Sequence, residues 1–214
     1  MQTERTTVRR RAQRGRYERA EVEAILDAAP ICHVGFTAEH GPVVLPTIHA
    51  RDEHVLYLHG SPVSAMLASI DGSAVCVTAT IVDGLVFARS AFHHSMNYRS
   101  VVVFGTGRVV ASDDEKLRAL RAVVEHVAPG RWQELRPTTG KEIAATKVIA
   151  LDLDEASAKV RTGPPIDDDE DLPSQAWGGV VPLAMIAGAP IADEHTPDGT
   201  PVPDAVAAIV GPTS

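Results

Sequence analysis

Between residues 31 and 111 the chain is cut into short β-rich runs with turn residues between them, and this constrains its fold more than any other feature. Residues 31–37, 43–50 and 55–59 are such runs, separated by A-E-H-G and A-R-D-E-H. Residues 73–81 and 85–89 flank V-D-G-L, where Asp-Gly between alternating apolar runs predicts a hairpin. Residues 100–111 form a further run in which Gly105 and Gly107 suggest a bend or bulge, and residues 145–153 read as the last strand. Strands this close in sequence pair antiparallel, and a set of six or seven hides its edges best by closing on itself. The expected fold is mainly β, a closed or partly closed antiparallel barrel with a few helices.

Two helices interrupt the pattern. Residues 19–29 place Val22, Ile25 and Leu26 on one face and end near Pro30. Ser112 opens S-D-D-E, a capping-box signature, and the helix after it aligns Leu117, Leu120, Val124 and Val127. Residues 162–176, rich in Pro and Asp, and the Pro/Gly/Ala-rich tail 187–214 read as loops.

The chain's 214 residues suit one domain with a sizeable core. Its net charge of −8 is uneven, because seven arginines fall within residues 1–19 and leave the remainder at −13. An acidic body argues against nucleic acid as a partner, and residues 1–15 are expected to be a flexible arginine-rich start. No apolar run approaches the ~20 residues of a membrane span and no signal-peptide core is present, so no membrane partner is expected. Cys32 and Cys76 lie in apolar strands without C-x-x-C spacing and read as reduced, buried thiols. The expected compartment is the cytoplasm.

Three segments carry chemistry. In L-Y-L-H-G-S-P-V-S-A-M-L, a strand ends at His59 and Gly60 allows close backbone approach. Ser61 is expected to cap a helix with Pro62 at its first position, offering free amides and the hydroxyls of Ser61 and Ser64 to an anion. In R-S-A-F-H-H-S-M-N-Y-R-S, Arg89, Ser90 and Asn97 to Ser100 supply donors and acceptors suited to a ring edge or a phosphate. Adjacent histidines on a strand point to opposite sides, and neither His93 nor His94 has a ligand at i+3 or i+4. No divalent-metal site is therefore expected, although either could be the single axial ligand of a haem. In Q-A-W-G-G-V-V-P-L, Trp177 either plugs the core or forms a planar lid over a ring system.

Four pieces, V-L-P-T-I-H-A with L-Y-L-H-G-S, F-H-H-S-M-N-Y-R-S-V-V-V-F-G, D-E-A-S-A-K-V-R-T-G-P-P and W-G-G-V-V-P-L, occur in an order that resembles the flavin-binding split-barrel superfamily of pyridoxamine 5′-phosphate oxidase. Within it, the closest resemblance is to the branch of nitroimidazole-resistance-like, flavin-nucleotide-binding proteins. The resemblance implies an FMN-binding type of split barrel over residues 16–186 and a homodimer with FMN or FAD at the subunit interface. It implies that His59, Gly60, Ser61 and Ser64 hold the flavin phosphate and that Pro46 and Thr47 line the isoalloxazine. Asn97, Tyr98, Arg99 and Ser100 would contact the ring or ribityl chain, and Trp177 would approach from the partner. Val63 and Ser64 replace the oxidases' basic pair and the C-terminal R-x-H is absent, which argues against vitamin B6 oxidation and leaves Arg89 or Arg99 to supply the missing charge.

The function implied is a flavin-dependent oxidoreductase passing electrons from a small-molecule donor to a small acceptor of the nitro or quinone class. No catalytic residue is assigned, and His49 and His59 are the candidate proton donors. The alternatives are a haem-binding sensor or carrier on the same fold and a protein that stores flavin or uses a deazaflavin.

Overall fold

Turn residues set the strand ends in the computed structural model, which describes residues 1–210. The strands are β1 (Gly15–Arg16), β2 (Cys32–Ala38), β3 (Gly41–Thr47), β4 (Ala50–Asp52), β5 (Val55–Gly60), β6 (Ala74–Phe87), β7 (Ser95–Thr106), β8 (Arg108–Val109), β9 (Lys147–Asp152), β10 (Glu155–Arg161) and β11 (Gly179–Pro182). The helices are α1 (Arg19–Ala28), α2 (Ala65–Ser69), α3 (Asp113–Val127), α4 (Gly140–Ala144) and α5 (Asp204–Ala207). All strand pairs are antiparallel and form two sheets. One runs β1-β10-β7-β6-β2-β3 with β11 added beside β6, and the other runs β4-β5-β9-β8. The mainly-β split-barrel expectation holds.

The core lies between the sheets and is closed by α1, whose Val22, Ile25 and Leu26 are buried as their spacing requires. Alternation along β7 sends Val101 and Val103 into the same core. Gly105 and Gly107 let the sheets approach each other. A Cβ on Gly107 would sit 2.3 Å from the Ile70 carbonyl oxygen, and one on Gly105 2.5 Å from Leu151 Cδ1.

Several local expectations are corrected. Asp83-Gly84 is not a hairpin turn: β6 runs unbroken through it, and the register against β7 shifts between Val82 and Gly84, leaving Asp83 as the extra residue of a bulge. The glycine serves close approach, because a Cβ there would lie 3.1 Å from the Val181 carbonyl oxygen of β11. Residues 145–153 do not hold the last strand, since β10 and β11 follow. Ser112 does cap α3 by accepting from the Glu115 N–H (3.4 Å), but the Glu115 carboxylate is held by Arg108 (2.8 Å) and Tyr57 instead of closing a box. The complete capping box is Thr139 with Glu142 on α4. On α3 the buried residues are Ala119 and Val123, while Val127 is exposed, so the inward face is rotated from the expected stripe.

The arginine-rich start lies against the first sheet. Thr6 is buried, Arg5 and Thr3 hold Glu155, Arg5 covers the Phe104 ring, and β1 pairs with β10. In the C-terminal segment Ala205 is buried and its N–H meets Glu134. Cys32 is buried and free, and burial pushes its thiol to about 12; Cys76 is free and half-buried. Among the described residues, no helix is long and apolar enough to cross a membrane.

Candidate functional site

The sequence-predicted residues fall into two groups within one chain. The first sits where β3 and β5 end. Pro46 is exposed and Thr47 half-buried on β3, an edge strand paired only with β2. At the β5 corner the helix starts later than expected: α2 begins at Ala65, and Ser64, not Ser61, is its N-cap, accepting from the Leu67 N–H at 3.4 Å. Ser61 instead forms a turn in which its Oγ accepts from the Val63 N–H and its carbonyl from the Ser64 N–H. Pro62 fixes that turn one step ahead of the helix, and five helical residues give only a weak dipole. Ser61 remains exposed.

His59 is half-buried and its Nδ1 is enclosed without a partner. Burial lowers its pKa, so the ring is neutral near pH 7. It borders a cavity of about 410 Å³ walled by Leu120, Val124, Trp132 and Leu135, with the Arg136–Glu142 ion pair (2.5 Å) at its rim. His49 is corrected as a proton donor: it is fully buried, its Nε2 donates to the Leu26 carbonyl (2.9 Å), and its ring lies 4.8 Å from that of His126. Its Nδ1, like that of His59, is enclosed without a partner, but the ring has no exposed surface from which to deliver a proton.

The second group surrounds the connection from β6 to β7. That connection turns through a 3-10 turn at Ala91–His93, so His93 and His94 precede the strand instead of lying in it. Asp168 holds His93 Nε2 at 3.0 Å. His94 Nδ1 lies 2.9 Å from the Ser90 carbonyl, which can only accept, so Nδ1 donates; among the described residues Nε2 has no hydrogen-bond partner. Carboxylates distant in sequence join His93: ligand atoms of His93, Asp168 and Asp171 lie within 4.8 Å of one another, a juxtaposition that no i+3 or i+4 spacing encodes.

Phe87 gathers this group, with the His94 and Trp177 rings each 5.9 Å from it. Trp177 is 65% exposed, so it does not plug the core. Arg89 and Arg99 do not offer unpaired charge. Asp167 accepts from the Arg89 N–H (2.8 Å) and Nη1 (2.7 Å), and Asp83 in the β6 bulge takes Arg99 in a fork (2.7 and 3.0 Å). Neither aspartate has a local sequence signal for this role: Asp83 lies in V-D-G-L, which reads as a turn, and Asp167 lies in the Pro/Asp-rich loop. Each guanidinium holds a carboxylate: the Arg89 contacts, its N–H first, keep the Asp167 carboxyl below the usual range.

The N-Y-R-S segment splits by strand alternation. Asn97 points inward and is buried, while Tyr98 and Ser100 face outward with Thr80, Val82 and Met96 around a shallow pocket of about 520 Å³. Asn97 Nδ2 donates to the Gly163 carbonyl (3.1 Å), and its Oδ1 accepts from Arg161, a buried arginine not singled out in the sequence. Its signal was R-T-G-P-P, a cation at a strand end where a turn supplies free carbonyls. Ser90 Oγ, like His59 Nδ1, is buried without a partner.

Comparison with known proteins gives this arrangement its context. No curated protein sequence matches the chain. The flavocytochrome Anf3 from Azotobacter vinelandii is 38% identical over 98% of both chains, with a TM-score of 0.91. An FAD and heme binding protein from Mycobacterium smegmatis is 38% identical over 92% of this chain and 98% of its own, with a TM-score of 0.88. A candidate 5-nitroimidazole antibiotic resistance protein from Bacteroides thetaiotaomicron shares the fold at 24% identity, covering 68% of this chain and 86% of its own, with a TM-score of 0.57. Residues 18–160 match the family described as pyridoxamine 5′-phosphate oxidase. The chain belongs to that family of flavin-binding split barrels.

Proposed function

We propose that this chain is a flavin-nucleotide-binding protein that works as a flavin-dependent oxidoreductase on small electrophiles of the nitro-compound or quinone class. The observation that carries the reading is 38% identity over 98% of both chains to a flavocytochrome. The residues fit such a ligand. Two polar atoms, Ser90 Oγ and His59 Nδ1, are enclosed without partners in the two predicted groups, and Tyr98 and Ser100 add outward-facing hydroxyls. The two groups border different cavities of one chain, which supports a homodimer with the flavin between subunits, each contributing one group. The reading places the protein in the cytoplasm.

When bound, a flavin supplies hydride and electron transfer that no side chain here provides. The chain's own residues would hold and orient it. Gly60 and Ser61 would meet the phosphate, Pro46 and Thr47 would flank the ring, and exposed Trp177 would cover a planar surface and exclude water. His59, kept neutral by burial, holds one ring proton and one acceptor, and so can hydrogen-bond the ligand without placing a formal charge beside it. The protein is incubated with FMN or FAD, desalted, and read near about 450 nm, where oxidised flavin absorbs. Retained absorbance that falls on addition of NAD(P)H and returns with a nitro compound or quinone supports the reading. Loss of both flavins on desalting overturns it.

Haem is a second reading, favoured because both 38% relatives are described as a flavocytochrome or as binding heme. His94 fits an axial ligand better than His93: its Nδ1–H is anchored on a backbone carbonyl and its Nε2 has no hydrogen-bond partner among the described residues, the second-partner arrangement of metal-binding histidines. Titration with haemin is expected to give a shifted Soret band that His94→Ala abolishes and His93→Ala retains.

A further inference from the structure

Among the described residues, ten of the sixteen arginines lie within 4 Å of a carboxylate. Of the six that do not, four line one cavity of about 340 Å³: Arg10, Arg11, Arg14 and Arg161. Lys159, also without a carboxylate partner, completes the lining, and His93 and His94 border it. Five permanent positive charges therefore face a common space in a chain whose net charge is −8. Among the described residues these charges have no carboxylate partner, and although Arg10 and Arg11 are exposed to screening solvent, the mutual repulsion of the cluster favours a bound anion.

The cavity is built into the fold. Arg161 is 5% exposed at the end of β10. Its Nη groups donate to Asn97, to the Gly163 carbonyl (3.3 Å) and to the Pro164 carbonyl (3.2 Å), while its Nε is buried without a partner. Burial, and after it the neighbouring Arg14, holds the Arg161 guanidinium below its ordinary pKa. Arg11 takes a left-handed conformation (φ 58°) to start the 3-10 turn at Ala12–Arg14, so the arginine-rich segment folds back over β10. Phe92 and Ile166 are the only purely hydrocarbon side chains among the described lining residues, so the cavity offers mainly positive charge, which suits a small polar anion.

We propose that this cavity is a pyrophosphate-binding site, formed by Arg10, Arg11, Arg14, Lys159 and Arg161, for the diphosphate of a dinucleotide. Guanidinium forks match paired phosphate oxygens, and the volume admits a diphosphate with adjoining ribose. Two dinucleotides carry this group, FAD and a nicotinamide electron donor. The inference specifies a ligand group within the flavin reading, yet it stands on the charge of this cavity and the burial of Arg161 alone.

The probe is inorganic pyrophosphate, followed by isothermal titration with the full chain. One equivalent is expected to bind per chain, and Arg14→Gln with Lys159→Gln is expected to weaken binding about tenfold or more by removing charge-assisted hydrogen bonds. Arg161 is left intact because its loss would strand Asn97 and two carbonyls. Arg118→Gln with Arg121→Gln, which removes the other two unpaired arginines, is expected to change nothing. If the Arg14/Lys159 variant loses FAD but keeps FMN, the diphosphate is that of the flavin. If it keeps both flavins but shows a raised KM for NADH or NADPH, the diphosphate is the donor's. No binding of pyrophosphate, equal weakening by the Arg118/Arg121 control, or lost pyrophosphate binding with unchanged affinity for every dinucleotide (an adventitious ion only) overturns the proposal. A protein that binds pyrophosphate but retains no flavin would refute the flavin reading and leave this site standing.

Discussion

Replacing Asn97 by Ala tests whether the buried Asn97–Arg161 link holds the mouth of the barrel. The side chain donates to the Gly163 carbonyl at 3.1 Å and accepts from Arg161, and both residues are almost fully buried. Losing the neutral bond costs about 1 kcal/mol, and leaving a buried guanidinium short of one acceptor costs about 1.5–3 kcal/mol, so about 3 kcal/mol in all is expected. For a chain of this size that lowers Tm by about 6–12 °C. Urea unfolding followed by circular dichroism gives the free energy, with Arg161→Met and the double variant completing a cycle. The double variant should cost less than the sum of the singles, because removing both partners leaves fewer stranded groups. A loss below about 1 kcal/mol for Asn97→Ala, or additivity within about 0.5 kcal/mol, refutes the coupling.

Three further outcomes are expected. Burial lowers the pKa of His49, so the unfolded chain takes up its proton at higher pH than the folded one. Stability should therefore be full above about pH 6.5 and fall below it, by at most about 1.4 kcal/mol per pH unit for this histidine, and His49→Gln should flatten that fall in urea titrations between about pH 7.5 and 5. Gly107→Ala drives a Cβ to 2.3 Å from the Ile70 carbonyl, and a loss of about 1–3 kcal/mol or more should appear in thermal melts. Ser64→Ala removes the α2 cap and should cost about 0.5–1 kcal/mol, whereas Ser61→Ala, at an exposed turn, should leave stability unchanged and weaken flavin retention in desalting assays.

Periodicity disclosed the barrel because burial dictates it. Val22, Ile25 and Leu26 had to share a helix face, and Val101 and Val103 had to alternate into a core. It misled at Asp83-Gly84, where the same dipeptide that closes hairpins serves a bulge; only the approach of β11, about a hundred residues later in the chain, decides between them. Ordered motifs brought the candidate site residues forward, but their partners lay far off in sequence. Asp167 for Arg89, Asp83 for Arg99 and Arg161 for Asn97 are pairings that no local pattern encodes. The N-Y-R-S segment read as one surface, yet strand alternation divides it between the core and the outer face. Likewise the arginines of residues 10–14 read as a tail, and their convergence with Lys159 and Arg161 follows from β1 pairing with β10.

The central claim is that two copies of this chain hold flavin between them. Native mass spectrometry of freshly purified protein measures both parts at once. The account predicts a dimer carrying one FMN or FAD per chain, with the flavin released when the dimer is dissociated. A monomer, or a dimer that stays free of flavin after incubation with both nucleotides, would contradict it.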